Sequence, residues 1–308
     1  MTKNENIILN DPIIMNRLHI TEQHTGKMEG MGSMSTSALC NERCIQNKQD
    51  PESVCNKCYA IAQALRYANL SRAIEKNFAI LTSEILTDDL LPYVNFHYFR
   101  FEAFGDIANE IHFINYLNIC FKNPNTKFAI WTKNPDLMAT VFNEMGYKKP
   151  KNLEIVVSSL YLNVILDITA NKKRYWFIDK IFTVFTMDYA LKHNIIINCG
   201  NAVCFNCRVC YEKQSNEIIY INEIEKSEQK SYYEALEILQ NYHLFITENE
   251  MDRTQETINL YISSLYYDLK ETYMETETDR KKVCAKIKKH EKKIKSIIQE
   301  YYSYYEAR

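Results

Sequence analysis

The sequence predicts an α/β fold, a parallel sheet covered by helices, followed by an all-helical C-terminal extension. Three features of the 308 residues predict it. Five apolar, β-rich runs alternate with helical patterns or crossovers of suitable length. Polar residues collect where each run ends: Glu102, Gly105 and Asp106; Thr132, Lys133 and Asn134; Ser158 and Ser159; Thr186; Asn198 and Cys199. From about Asn222 the composition shifts to long polar helices. The expected organisation is therefore 1–221 as a cysteine-bearing α/β domain and 222–308 as a helical extension with a basic segment.

Residues 1–39 read as irregular, punctuated by Gly26, Gly30 and Gly32. From Ala60 to about Thr87 the residues Ile61, Ala64, Leu65, Ala68, Ala73, Phe78, Ile80 and Leu81 recur near helical spacing. The run 96–106 reads as a strand whose alternation sets Tyr98, Arg100 and Glu102 on one side. A helix is expected over 107–122, ended by Asn123-Pro124. A strand over 127–134 leads into a helix over 135–145 with Pro135 in its first turn. Further strands are expected over 153–159, 180–186 and 194–199. In the extension, Ile258, Ile262, Leu265, Leu269 and Tyr273 form one apolar stripe, continued by Val283, Ile287, Ile294, Ile298, Tyr301 and Tyr305.

Composition excludes several classes. The 37 Lys and Arg nearly balance 39 Asp and Glu, so no overall attraction to nucleic acid or membrane is expected. The chain has 6 Gly where ordinary usage gives about twenty. Gly26, Gly30 and Gly32 match neither a dinucleotide-binding nor a phosphate-binding loop. The N-terminus is polar, with no apolar segment of a secretory signal, and no apolar run approaches the roughly 18 residues of a membrane span. A reducing cytoplasmic location is expected, where 10 Cys serve better as ligands or catalysts than as disulfides.

Eight of the 10 Cys form two quartets. The first is Cys40-x3-Cys44-x10-Cys55-x2-Cys58 and the second Cys199-x4-Cys204-x2-Cys207-x2-Cys210. An x2 spacing lets a tight turn aim two sulfurs at one centre, and thiolates so gathered repel one another unless a cation holds them. Both quartets are thus expected to bind metal, either closed four-thiolate zinc sites or iron–sulfur clusters. Cys120 and Cys284 sit singly in helical patterns and read as bystanders.

The features Gly26-Lys-Met, Cys55-Asn-Lys-Cys-Tyr-Ala60, Arg100-Phe-Glu-Ala-Phe-Gly-Asp106, Trp131-Thr-Lys-Asn134 and the second quartet follow a recognisable order. The chain resembles the radical S-adenosylmethionine (SAM) superfamily, and more closely the phage gene-product-88-like family, over roughly residues 25–212. The resemblance implies a partial parallel (β/α) barrel in a protein of a phage or mobile element. It also implies a [4Fe–4S] cluster and reductive cleavage of SAM to a radical that abstracts hydrogen from a substrate, small or macromolecular. The pattern departs from the superfamily at three places. The C-x3-C-x2-C spacing is split, so Cys44, Cys55 and Cys58 are the preferred triplet, with Cys40 a neighbour or a fourth ligand. Gly105-Asp106 replaces a Gly-Gly-Glu turn, which leaves Asp106 or Glu102 to meet the SAM ammonium. Asn134-Pro135 replaces Asn-Gly. The cofactor-binding candidates are accordingly Glu102, Gly105, Asp106, Thr132, Lys133 and Ser158.

Each candidate also has a structural reading. Glu102 has Arg100 as its obvious ion-pair partner, and Asp106 has the following helix to cap. Lys133 is a solvated lysine or a partner for a carboxylate or phosphate. Tyr59 and Tyr211 follow cluster cysteines and are expected to shield the metal from water. His24, His97 and His112 lack a spacing that demands metal. Residues 280–295 carry nine basic side chains and one acidic, behind Glu271, Glu275, Glu277 and Asp279. That segment is a solvated helix face, a docking surface or a nucleic-acid contact.

Overall fold

The computed structural model describes residues 18–200, 202–272 and 277–308, apart from the side chains of residues 169, 266–284, 286 and 287. The chain divides into two compact units, Met1–Val184 with Asn198–Glu223 and Phe185–Ile197 with Ile224–Arg308.

The sheet has seven strands in chain order: β1 (Thr21–Glu22), β2 (Gly32–Met34), β3 (Tyr98–Phe101), β4 (Lys127–Thr132), β5 (Leu153–Ser158), β6 (Lys180–Phe185) and β7 (Ile219–Ile224). β1 runs antiparallel to β2, and the pairs from β2 to β6 are all parallel. The sheet is open, with β1 and β7 at its edges. The mixed α/β class and the parallel, helix-covered sheet are as the sequence predicts.

Register decides what each face presents. The pairings Tyr98 with Lys127, Arg100 with Ala129, Ala129 with Glu154, and Trp131 with Val156 define one face. Val156 with Lys180 and Ser158 with Phe182 extend it. The opposite face carries Phe99, Phe101, Phe128, Ile130, Leu153, Ile155, Val157 and Ile181, all essentially buried. It packs against Phe113, Ile114, Tyr116, Leu117 and Ile119 of α4 (Glu110–Lys122) and against Met138, Val141 and Phe142. Each such side chain contributes roughly 1.5–3 kcal/mol through burial.

The helices that position the cysteines precede β3. They are α1 (Glu42–Gln49), α2 (Tyr59–Arg66) and α3 (Ala68–Ser83). The single helix expected from Ala60 onward is two, because Tyr67 adopts an extended conformation between them. The helix expected from Ile107 starts at Glu110, where Asn109 Oδ1 accepts from the His112 N–H at 2.9 Å. After β4, Pro135 opens the short α5 (Pro135–Ala139).

Three expectations about strands are corrected. β1 and β2 lie in the segment read as irregular, because two- and three-residue strands give no alternation to read. β3 stops at Phe101, because Glu102 takes a left-handed φ of 54°. Residues 194–199 form no strand; Cys199 alone makes a bridge, to Glu223. There Asn194 turns the chain with φ 52°, and Ile195 and Ile197 pack into the core of the second unit.

The second unit is helical: α6 (Met187–Lys192), α8 (Gln229–Glu248), α9 (Gln255–Thr272) and α10 (Glu277–Glu306), with α7 (Cys204–Cys207) belonging to the first unit. Its core joins Tyr232, Leu239, Tyr242 and Ile246 to Ile258, Tyr261, Ile262, Ile298, Tyr301 and Tyr302. Of the predicted stripe, Ile258, Ile262, Ile298 and Tyr301 are buried, and Leu265, Ile294 and Tyr305 pack against that core. The side chains of Leu269, Tyr273, Val283 and Ile287 lie outside the described residues. Among the described residues, no helix is long and apolar enough to cross a membrane.

Candidate functional site

Hydrogen bonds hold the segments of Cys44 and Cys55 beside the turns that follow β3 and β5. Asn41 caps α1 by accepting from Arg43 N at 3.1 Å and Cys44 N at 3.4 Å, and its amide donates to the Asp106 carbonyl at 2.9 Å. This ties the first turn of α1, with Cys44, to the turn that follows β3. The Cys55 loop is tied to the end of β5: Val54 N donates to Leu160 O at 2.9 Å, and Ser53 bridges Tyr161. Cys55 N in turn donates to Ser53 Oγ at 3.0 Å. Cys58 is the residue from which α2 starts.

Cys44 and Cys58 pack against one small cluster with Leu39, Ala60, Ile61 and Phe104. Burial raises the Cys44 thiol well above its ordinary range, and the negative charges of Asp106, Glu102, Cys55 and Cys58 push the same way. Burial also raises Cys55, opposed by the Lys133 ammonium and the hydrogen bond at Ser53. Cys40 is exposed and does not belong to that cluster.

The candidate carboxylates are engaged within the fold. Glu102 Oε1 accepts from Thr36 Oγ1 at 2.9 Å and from the Tyr116 hydroxyl at 2.5 Å, while Oε2 accepts from Thr36 N at 3.2 Å. His112 Nδ1 accepts from Ala108 N, and its Nε2 lies 3.3 Å from Glu102 Oε1 without the alignment of a hydrogen bond. The expected Arg100–Glu102 pair is not formed, because the left-handed backbone at Glu102 breaks the alternation and sends its side chain to Thr36 and α4. Gly105 has φ +89°, and a Cβ there would stand 2.5 Å from Thr36 O and 2.9 Å from Glu102 Oε2.

Asp106 joins two strand ends instead of capping α4. Its Oδ1 accepts from Thr132 Oγ1 at 2.6 Å and Ile107 N at 2.8 Å, and its Oδ2 from Lys133 N at 2.8 Å. Burial nevertheless raises its carboxyl above the ordinary range, against the lowering effect of those donors. The Lys133 carbonyl accepts from Arg43 Nη2 at 3.0 Å, which fastens α1 to the end of β4. Ser158 ends β5, buried and in register with Phe182. Tyr59 is 59% exposed and donates its hydroxyl to the Ala103 carbonyl, so it covers little.

Of the second quartet, Cys204 and Cys210 pack against the polar face of the sheet, and Cys207 is exposed. Met31, Tyr98, Ala129 and Tyr211 form a buried cluster that includes Met28, Trp131, Cys204 and Cys210. Tyr211 is buried there, its ring 5.6 Å from that of Tyr98 and 5.9 Å from that of Trp131. Cys204 opens α7, the chain turns at Arg208 with φ 62°, and Cys210 follows. Cys199 N donates to Asn222 O at 3.0 Å, beside β7. Burial raises Cys199 to about 11 and Cys210 to about 12, and neighbouring thiolates raise both.

Cations surround this second group. Lys27 Nζ stands 4.0 Å from Cys199 Sγ and is ion-paired with Glu223. The Arg100 guanidinium lies 3.9 Å over the Trp131 ring. Lys180, paired with the buried Glu154, also donates to the Glu212 carbonyl at 3.3 Å. Sequence reasoning missed the roles of Thr36, Asn41, Tyr116 and Lys180. Of these only Tyr116 carried a signal, since it follows His112 by four residues on one helix face.

Among the described residues, no three His, Cys, Asp or Glu side chains are gathered closely enough to hold one metal ion. The donor chemistry of both groups still fits a thiophilic centre. Burial opposes ionisation of Cys44, Cys55, Cys199, Cys204 and Cys210, an obstacle that a bound cation would remove. Cys120 is buried in the apolar core, as read from sequence; the Cys284 side chain lies outside the described residues. So do the side chains of Arg280, Lys281, Lys282 and Lys286, while Lys288, Lys289 and Lys292 are exposed.

Fold and site thus define a mixed α/β protein with two cysteine groups on a largely parallel sheet. The chain belongs to the gene product 88 family, whose model matches residues 16–176. The match includes the first quartet and ends before the second. No curated protein and no solved structure matches the chain.

Proposed function

We propose that this is an iron–sulfur protein of a phage or mobile element, built as a radical-SAM-like enzyme on an unclosed (β/α) barrel. Cys44, Cys55 and Cys58 hold a [4Fe–4S] cluster, and Cys199, Cys204, Cys207 and Cys210 hold a second metal centre. The observation that carries this reading is that Cys44 and Cys58 pack with Phe104 against one small cluster beyond the end of β3, whereas Cys40 is exposed. Such strand ends are where parallel α/β folds build their sites. A [4Fe–4S] cluster bound through three thiolates keeps one iron open to a chelating amino acid such as SAM and supplies it with an electron.

The chain's own residues prepare the place. Lys133 offsets the thiolate charge from the end of β4. Asp106 fixes that strand end, and Asn41 fixes the first turn of α1 against it. The knot of Glu102, Thr36 and Tyr116 holds the end of β3.

Anaerobic reconstitution of the full chain with iron and sulfide tests the proposal. A brown protein whose visible absorption is perturbed by SAM is expected. A colourless protein with stoichiometric zinc, purified anaerobically from iron-replete cells, would overturn it. The remaining reading would then be a zinc-stabilised phage protein whose 280–295 segment meets nucleic acid or a protein.

A further inference from the structure

The stretches that lead into β5 and β6 lie at the amino edge of the sheet, and side chains tie them together. The Lys149 ammonium donates to the Phe177 carbonyl at 3.0 Å and pairs with Asp179. Trp176 Nε1 donates to Asn143 Oδ1 at 2.9 Å, and the Asn143 amide donates back to the Arg174 carbonyl at 2.9 Å. The Trp176 ring packs 5.6 Å from that of Phe142. The indole is therefore held in one place although it is 52% exposed.

Two short basic runs, 148–151 and 172–174, flank this indole in sequence and meet through those bonds. Lys149 is engaged by Asp179, and Arg174 by Asp136 at 3.0 Å. Lys148, Lys151, Lys172 and Lys173 are exposed and enter no ion pair among the described residues. Glu144 is the exposed acidic side chain on the stretch before β5. The chain as a whole has a net charge of −2, so the excess of cations here is local. A local excess attracts a polyanion whatever the net charge of the chain.

Lysines alone would make a solvated surface, and the fixed tryptophan is what gives this one a chemistry. Lysine meets a phosphate as a point charge. An indole tethered by its N–H edge offers its ring to a base, and an unpaired base is free to stack where a paired one is not. We infer that the amino edge around Trp176 binds single-stranded nucleic acid, with Lys148, Lys151, Lys172 and Lys173 on phosphates and Trp176 stacked on a base. The surface contains none of the eight clustered cysteines, and it lies at the strand ends opposite those beside Cys44 and Cys55. The inference therefore goes beyond the iron–sulfur reading and does not rest on it.

Fluorescence anisotropy of the full chain tests it, with labelled oligothymidylate and oligouridylate of about 15 nucleotides as probes. Both are expected to bind, with log affinity falling against log salt at a slope of about −3 for four phosphate contacts. The variant Lys148→Gln, Lys151→Gln, Lys172→Gln, Lys173→Gln is expected to lose at least about tenfold in affinity at low salt, together with most of that slope. Trp176→Ala is expected to weaken binding about tenfold and leave the slope unchanged. A duplex of the same length is expected to bind more weakly than either single strand. No binding by the unsubstituted chain at about 50 mM salt overturns the inference. So does binding that neither variant weakens, which would move the contact elsewhere on the chain. A loss with the lysines but none with Trp176, alongside equal capture of polyglutamate, would make this a surface for acidic proteins and overturns it as well. If circular dichroism shows that Trp176→Ala does not fold, the lysine variant and the duplex decide. Lost affinity with a preference for single strands supports the inference, and equal affinity for duplex overturns it.

Discussion

The Tyr116 hydroxyl donates to Glu102 Oε1 at 2.5 Å, joining α4 to the residue at which β3 ends. The contact exists because Glu102 has a left-handed backbone, a conformation uncommon outside glycine. A regular strand would have turned this carboxylate to the face that carries Arg100. Here it is 3% exposed and meets three donors from Thr36 and Tyr116. Glu102→Gln keeps an oxygen for Thr36 N but sets an NH2 against the Thr36 and Tyr116 hydroxyls, which must turn to accept and lose their bonds to a charged carboxylate. A loss of about 2–3 kcal/mol is expected in urea unfolding of the full chain. Tyr116→Phe removes one donor, leaves the carboxylate its others, and should cost about half as much.

Gly105 is fixed by the same knot. Alanine there combines a positive φ with a Cβ 2.5 Å from the Thr36 carbonyl, which is backbone and not free to swing away. The expected cost is about 3 kcal/mol, read from the same unfolding curves. Gly26 also has a positive φ, but a Cβ there meets nothing within 4 Å. Gly26→Ala should therefore cost about 1 kcal/mol, the backbone part alone. Equal losses at the two positions would contradict the clash.

The role of Cys40 separates three-ligand from four-ligand binding at the first centre. Cys40→Ser should leave the iron and sulfide content of the reconstituted protein unchanged, whereas Cys44→Ser should abolish the first centre. The measurement is iron per chain, with the second centre as the internal reference. Equal loss in both variants would make Cys40 a ligand and close the open coordination position.

What the sequence made legible follows from what each signal encodes. The apolar runs at Phe128–Ile130 and Leu153–Val157 report strands buried on both faces, and they are β4 and β5. The run of Ile195 and Ile197 is just as apolar, but those side chains enter the helical core. Apolarity announces burial without saying in which layer. The cysteine spacings announced two groups. The charges around them were illegible, since Lys27 and Cys199 are 172 residues apart and only β-pairing brings Arg100 opposite Ala129. The Arg100–Glu102 reading failed at one backbone angle that no residue type at position 102 would have suggested.

The Lys180–Glu154 pair tests whether a buried charge on the polar face is structural. Both side chains are nearly inaccessible, at 1% and 7% exposure. Lys180→Met leaves Glu154 uncompensated and should cost about 3–5 kcal/mol. The double variant Lys180→Met, Glu154→Leu should recover most of that, because a matched apolar pair avoids desolvating two ions. A double variant as unstable as the single one would mean that Lys180 matters through another contact, and its bond to the Glu212 carbonyl is the one to examine.

In the helical unit, Asp188 of α6 links to α10. Its Oδ1 lies 2.9 Å from Lys192 Nζ and accepts from the Tyr301 hydroxyl at 3.1 Å. The bond from Lys192 is the main reason its carboxyl is held below the ordinary range. A carboxyl whose folded pKa is depressed contributes stability above its unfolded pKa, and the contribution is lost as pH falls through the folded value. Asp188 is 57% exposed and Lys192 38%, so solvent screens the pair. Its contribution should be about 0.5 kcal/mol. Asp188→Asn should therefore lower stability by about that amount at neutral pH, and by progressively less below about pH 4. In roughly 1 M salt the difference should also shrink, leaving the share that belongs to the Tyr301 hydrogen bond. Chemical unfolding of both proteins across pH 2.5 to 7 measures it, and a gap that stays constant through that range would show that charge has no part in holding α6 to α10.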